Sequence, residues 1–426
     1  MSQNIKKLST EPYKGVRDFY PEDQFIENHI FDIWRKTLES FGYQEYNASV
    51  LEPAELYKAK SGDEIVNEQT YTFLDRGERE VTLRPEMTPT VARLVAGRRR
   101  ELAFPLRLFS MPNVFRYERP QRGRLREHFQ LNVDIFGLAG VYADVEIIAV
   151  ADSVMKNFGA KTSDFEIKIS SRKLLNALFS DWYEMTEEQS IRMQKLIDKK
   201  NKMPEDVFEQ QSTEIFGKPF KFLNLEKNNP VYEEVMAFPN IKLAKDELDQ
   251  VIATLAKRGV TNVVYDETLI RGFDYYTGII FEVFDTNPEN NRALFGGGRY
   301  DNLLKMFGEE NMPCAGFGMG DVTLKDFLET RNILPTYKPS ASVMICLLEE
   351  DDLILDYAEE IAKSLRDQKI NVDINYSFKS LGDQIKSATK KKIPYCIVIG
   401  KNEAEEKSYK IKDLETGDEV DKIVKK

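Results

Sequence analysis

The feature that most constrains the fold is a succession of short strand-like runs set too close together for helical crossovers. Between 69 and 84, QTYTFLD and EVTLR flank the turn-like RGER, the pattern of two antiparallel strands joined by a short loop. Further runs cover 106–118, 130–137, 164–170, 278–284 and the approach to GFGMG at 316–320. A parallel pair needs a crossover of about a dozen residues or more, usually a helix, and few helices intervene here. The pattern predicts a large antiparallel sheet with helices, an α+β core.

Residues 21–41 read as a helix, with Pro21 in the first turn, apolar positions from Ile26 to Phe41 in helical spacing, and Gly42 to stop it. At 185–258 the chain becomes charged and helical in spacing, which reads as a solvated, mainly helical insertion. After TRNILPTYKPS, strand-like SVMICLL, INVDINY and PYCIVIG alternate with helix-like segments, the mark of a small α/β domain. The expected organisation is a core in two parts, 1–184 and 259–332, around an insertion at 185–258, then a linker at 333–340 and a second domain at 341–426.

Composition narrows what such a chain can do. No run approaches the roughly 18 to 20 apolar residues of a membrane span, and MSQNIKKLSTEPYKG lacks the apolar stretch of a signal peptide, so a cytoplasmic protein with no membrane partner is expected. Cys314, Cys346 and Cys396 form no CxxC pair and sit in or beside apolar runs, as buried thiols do. With His29 and His128 the only histidines, an imidazole-based metal site or a Ser/His/Asp triad has almost no raw material, and no metal ligands are assigned. A net charge of −11 argues against indiscriminate nucleic-acid binding. Against that background, Arg116, Arg119, Arg122, Arg124 and Arg126 crowd around the single acid Glu118. The contrast points to selective handling of a phosphate-bearing partner.

Arg116 and Glu118 are two residues apart, so strand alternation sets both on one face, where a guanidinium can grip a phosphate in two-pronged fashion. In LIRGFDYYTG, Arg271, Asp274, Tyr275 and Tyr276 offer directed hydrogen bonds to a small zwitterion. In VTLRPEMTPT, Glu86 and Thr88 follow a strand end and suit an ammonium group, although a helix cap would look the same. GGGRYDNLL and GFGMGD do not match the spaced glycine fingerprint of dinucleotide-binding units; glycine there lets backbone approach a ligand or a neighbouring strand.

Nearly the whole chain resembles the histidyl-tRNA synthetase family of class II aminoacyl-tRNA synthetases. GYQEYNASVLEP is similar to the first class II motif, whose proline, here Pro53, lies at the family's dimer interface, and FRYERPQRGRLREHFQ is similar to the second. RGFDYYTG and GGGRYDNLL resemble the two segments that set the histidyl enzymes apart. The resemblance implies a class II catalytic sheet, ATP as a substrate with Mg2+, L-histidine, the histidine tRNA and a homodimer. It implies that Arg116 and Arg271 are catalytic, gripping the α-phosphate from two sides. It implies that Glu86, Thr88 and Gln130 hold the ends of histidine with both arginines, and that Asp134, Tyr275 and Tyr276 face the imidazole. For ATP it implies Arg116, Glu118 and Arg124, with either His128 or Phe129 covering the base, since period two forbids both from one face. Arg119 and Gln121 resemble the positions that meet the tRNA. The C-terminal domain resembles an anticodon-binding module, with Lys386 and Lys390 to Lys392 as candidate RNA contacts. Thr323 stands where the family's third motif has an arginine over the adenine, so the base must be held differently here. The competing reading is a non-catalytic paralogue, the regulatory subunit of ATP phosphoribosyltransferase.

Overall fold

The structure, a computed structural model, describes residues 8–58, 69–200, 203–270, 275–290, 292–421 and 423. Two compact units emerge, one running to Asp18 and from Glu27 to Leu334, the other comprising Phe19–Ile26 and the chain from Pro335. The strands of the first unit are β1 (Gln44–Glu45), β2 (Leu51–Pro53), β3 (Tyr71–Leu74), β4 (Glu80–Leu83), β5 (Leu106–Ser110), β6 (Asn113–Phe115), β7 (Glu127–Phe136), β8 (Phe165–Ser171), β9 (Val263–Tyr265), β10 (Ile279–Asp285), β11 (Ala293–Arg299) and β12 (Cys314–Gly320).

Nine of these form one sheet in the order β1-β5-β7-β12-β11-β10-β8-β9, with β6 also paired to β7. Its interior is antiparallel as expected, but each edge pair, β1 with β5 and β8 with β9, is parallel. Both edges are reached by long connections, which antiparallel hairpins do not need and parallel pairs require. The expected hairpin at 69–84 is β3 against β4, and β2 completes a separate three-stranded sheet. The expected single run at 106–118 divides at Met111–Pro112, because proline brings no N–H to a ladder. The Pro112 carbonyl instead accepts from Gln130 N–H at 2.9 Å.

On one face of β7, Leu131, Val133 and Ile135 are fully buried, and the helix Tyr142–Asn157 packs over β7 and β12. The helix Pro21–Ser40 buries Ile30, Trp34 and Leu38 at four-residue spacing and ends before Gly42, whose φ of +79° suits glycine. The 185–258 stretch is helical, yet it is no solvated appendage. Met193, Phe208 and Ile215 from its helices share one apolar cluster with Phe179, Phe220 and Ile270.

In the second unit, β13 (Val343–Leu347), β14 (Val372–Asn375), β15 (Tyr395–Ile399), β16 (Ile411–Asp413) and β17 (Glu419–Val420) form a sheet ordered β14-β13-β15-β16-β17. The first three strands are parallel, and β16 and β17 add an antiparallel edge that periodicity in so short a run did not reveal. Val343 and Ile345 face the helix Asp352–Asp367, while Met344, Cys346 and Cys396 face the opposite side around Ala388. All three cysteines are free and buried. Among the described residues no helix is long and apolar enough to cross a membrane.

Candidate active site

A cleft of about 220 Å³ opens on the other face of the large sheet. Its wall comes from period-two alternation along β7: His128, Gln130, Asn132 and Asp134 project into it while Leu131, Val133 and Ile135 fill the core behind. Opposite them in register lie Gly320, Gly318 and Gly316 of β12, paired with Gln130, Asn132 and Asp134. These glycines make room for the polar side chains. A Cβ on Gly318 would stand 2.1 Å from Gln130 Nε2, and one on Gly316 would stand 2.6 Å from Asp134 Oδ1 and 2.7 Å from the Tyr300 hydroxyl.

Glu86 and Thr88 enter the cleft from the turn that opens the helix Thr88–Gly97, so the helix-start reading and the ligand reading describe the same residues. The turn is braced from below, where the Tyr57 hydroxyl donates to Glu86 O at 3.3 Å and meets Thr90 Oγ1 at 2.9 Å. Arg116 lines the cleft with its Nε donating to Pro85 O at 2.9 Å, which ties β6 to the same turn. The following loop closes with Gln121 and Arg124 exchanging backbone hydrogen bonds of 3.1 and 2.9 Å. It brings Arg124 within 3.5 Å of the Glu118 carboxylate at the cleft. Arg119 and Gln121 are exposed on this loop and do not line the cleft.

His128 and Phe129 separate as alternation demands. His128 lines the cleft, while Phe129 turns away to meet Phe31 edge-on at 5.1 Å and donates its backbone N–H to Asp321 at 2.9 Å. Phe129 therefore stands apart from the other residues named for ATP, and the ring on the cleft side is the imidazole. Burial, then Arg116 and Arg17, push the His128 pKa down to about 3, so the ring is neutral at physiological pH.

Tyr275 and Tyr276 line the far end with ring centroids 4.8 Å apart, and Tyr275 meets Tyr300 at 5.8 Å. The Tyr300 hydroxyl donates to Asp134 Oδ1. Burial raises the Asp134 pKa to about 7, against the lowering effect of that hydrogen bond. Among the described residues Asp134 Oδ2 and Gln130 Oε1 are buried with no hydrogen-bond partner. Such groups are costly unless water or a ligand satisfies them, and both belong to residues that line the cleft, where a bound group can do so. Arg271 and Asp274 lie outside the described residues.

Sequence reasoning passed over Asn132 and Tyr300. The first was accessible from period two, between Gln130 and Asp134. The second stood in GGGRYDNLL, where the glycines drew attention from the tyrosine beside them. Chemically, the cleft combines two guanidinium groups, a buried half-free carboxylate, an amide acceptor and a neutral imidazole. Such a set can hold a phosphate chain and a small zwitterion with a ring N–H. Among the described residues no group of three or more His, Cys, Asp or Glu side chains could hold a metal ion.

Residues 15–322 match the family model described as histidyl-tRNA synthetase, and residues 342–425 match the anticodon binding domain. The histidine–tRNA ligase of Leptospira biflexa is 41% identical over 422 residues, 96% of this chain and 94% of that protein. A crystal structure of histidyl-tRNA synthetase from Nostoc superposes with a TM-score of 0.80 at 25% identity, covering 97% of both chains. One described as an ATP phosphoribosyltransferase regulatory subunit/histidyl-tRNA synthetase, from Bacillus halodurans, gives a TM-score of 0.72 at 25% identity, covering 90% of this chain and 97% of that one. With one family model spanning the cleft and its supporting sheet, and a relative this similar along nearly its full length, the chain belongs to the histidyl-tRNA synthetase family.

Proposed function

We infer that the chain ligates L-histidine to its tRNA in two steps. A carboxylate oxygen of histidine attacks the α-phosphorus of ATP, forming histidyl-adenylate as the bond to pyrophosphate breaks. A ribose hydroxyl of the terminal tRNA adenosine then attacks the histidyl carbonyl carbon, and AMP leaves. The observation that carries this reading is Asp134, buried, with one oxygen bonded by Tyr300 and the other open, in the same cleft as Arg116 and Arg124. An imidazole N–H fits the open oxygen, and a neighbouring tyrosine hydroxyl can serve the second ring nitrogen. Glu86 takes the ammonium group with Thr88 and the Gln130 amide oxygen, and Arg116 orients the carboxylate end.

Arg116, just beyond β6 and braced by Pro85 O, offers fixed positive charge to the pentacoordinate phosphorus, an effect worth several kcal/mol in a water-poor site. Arg271 is assigned the opposite side on the strength of its motif. Mg2+ would accompany ATP and supply neutralisation of phosphate charge, and of the carboxylates lining the cleft Glu118, which also pairs with Arg124, would hold it. Arg119 and Gln121, exposed on the loop, are proposed to meet the acceptor end of the tRNA, and the exposed Lys386 and Lys390 its anticodon region.

The regulatory-subunit reading is less well supported. A protein that only sensed effectors would have no use for the anticodon binding domain matched at 342–425. ATP–pyrophosphate exchange with a panel of amino acids tests the choice: histidine alone should support it. Exchange with none of them, or equally with proline or threonine, overturns the assignment. A homodimer is part of the same proposal, because Leu51, Phe73 and Leu74 are 42%, 47% and 66% exposed on the small sheet and a second copy would cover them. A monomer in sedimentation at micromolar concentration would refute it. Charging serves ribosomes, which makes the cytoplasm the compartment this reading calls for.

A further inference from the structure

The Tyr300 hydroxyl that meets Asp134 is carried just beyond the end of β11, past the last registered pair of β10 and β11, Ile280 with Gly298. Both chain neighbours of Tyr300 are pinned through their side chains. Arg299 is 4% exposed and Asp144 3%; Arg299 Nη2 donates to Asp144 Oδ2 and to Gly140 O, each at 2.6 Å, and Nε reaches the same carboxylate at 3.1 and 3.2 Å. Asp144 lies in the first turn of the helix Tyr142–Asn157, the end of a helix that favours negative charge. On the other side of Tyr300, Asp301 Oδ1 accepts from Arg299 Nη1 at 3.3 Å and from Cys314 N–H at 3.1 Å. The segment that carries Tyr275 and Tyr276 is tied to the same residues. Thr277 N–H donates to Arg299 O at 2.8 Å, and the Thr277 hydroxyl donates to Asp301 Oδ2 at 3.3 Å and accepts Asp301 N–H at 3.1 Å. Gly278 leaves room for the arginine stem, since a Cβ there would stand 2.8 Å from Arg299 Cδ.

We propose that Asp144, Arg299 and Asp301 form a positioning unit that holds the Tyr300 hydroxyl on Asp134 and thereby sets the affinity for histidine. The inference rests on the reading of the cleft as a histidine site. None of the three lines the cleft, so each acts through Tyr300 and not on the substrate. A buried ion pair gains about as much from attraction as desolvation takes away, so stability alone gives little reason to keep one here. Direction gives a better one. The planar guanidinium fork fixes Arg299 against the helix, Asp301 is fastened to Arg299 and to β12, and the tyrosine between them has one course for its ring. A shift of about 1 Å in such a group can cost on the order of 100-fold in function, and here it would take the hydroxyl off the carboxylate.

The experiment is ATP–pyrophosphate exchange without tRNA, with histidine and ATP varied separately. Asp144→Asn keeps the shape of the side chain and removes its charge; it should raise KM for histidine about tenfold and leave KM for ATP within about twofold. Asp301→Asn should do the same. Its side chain is 29% exposed, so it carries the test alone if D144N fails to fold. Each substitution is then made in a Tyr300→Phe background, where the hydroxyl to be positioned is gone, and neither should raise KM for histidine by more than about a further twofold. A merely structural role would give the full tenfold in both backgrounds, and that result overturns the proposal. So does an unchanged KM for histidine in the folded variants, or an equal rise in both KM values. Wild-type exchange that does not depend on histidine overturns the reading of the cleft itself.

Discussion

Tyr300 donates its hydroxyl hydrogen to one oxygen of Asp134, and the other oxygen of that carboxylate is buried without a partner among the described residues. The pair lies 166 residues apart in the chain and meets because β12 carries glycine, not a side chain, at position 316 between them. Tyr300 thereby decides which Asp134 oxygen is left for a ligand.

Tyr300→Phe should raise KM for histidine on the order of 10- to 100-fold, the loss of a hydrogen bond to a charged group, with KM for ATP little changed. The hydrogen bond lowers the Asp134 pKa, so its removal moves that pKa above about 7. Wild-type affinity for histidine should weaken as pH falls through 7, and the variant's inflection should lie higher. Exchange kinetics across the neutral range would show it; coincident pH profiles would refute the role.

Gly318→Ala should leave the fold intact, since the clash at 2.1 Å is with the far end of the Gln130 side chain, which can swing away. Swinging away removes Gln130 from the cleft. We expect kcat/KM for histidine to fall about tenfold or more, on the scale of one good hydrogen bond, with unchanged circular dichroism. Unimpaired exchange would mean that Gln130 does not touch the substrate.

Arg116→Ala should lower the rate of adenylate formation about 100- to 1000-fold, the range for removing one fixed donor at a developing charge. Arg271→Ala should lower that rate far more than it weakens tRNA binding. Single-turnover adenylation and equilibrium tRNA binding on the same preparations separate the two effects, and equal losses in both would contradict the assignment.

Glu27 sits buried beside Asp321, Arg17 and Lys325, and burial followed by Asp321 pushes its pKa from 4.5 up to about 8. A raised acid pKa means that the folded chain keeps a proton the unfolded chain has lost. Its contribution to stability is full below pH 4.5, declines as pH rises, and is lost through about pH 8. Glu27→Gln keeps the shape and removes the titration. The variant should match the wild type near pH 4.5 and exceed it by a growing margin as pH rises to about 8, measured by urea unfolding. A stability difference independent of pH would rule this out.

Much of this protein was written locally. The helix from Pro21, the hairpin at 71–83, the alternation of strands and helices after 340 and the arginine loop each follow from spacing within ten or twenty residues. Period two alone predicted that only one of His128 and Phe129 could face a ligand, and motif lettering pointed to Glu86, Thr88, Gln130 and Asp134. Only the tertiary structure decided that the sheet's edges are parallel, that His128 is the ring on the cleft side, that Tyr300 completes Asp134 and that Gly123 rests on Thr323. Side-chain alternation is dictated by the geometry of the strand itself, whereas strand order, register and loop closure depend on contacts between residues remote along the chain, and those exist only once the sheet has assembled.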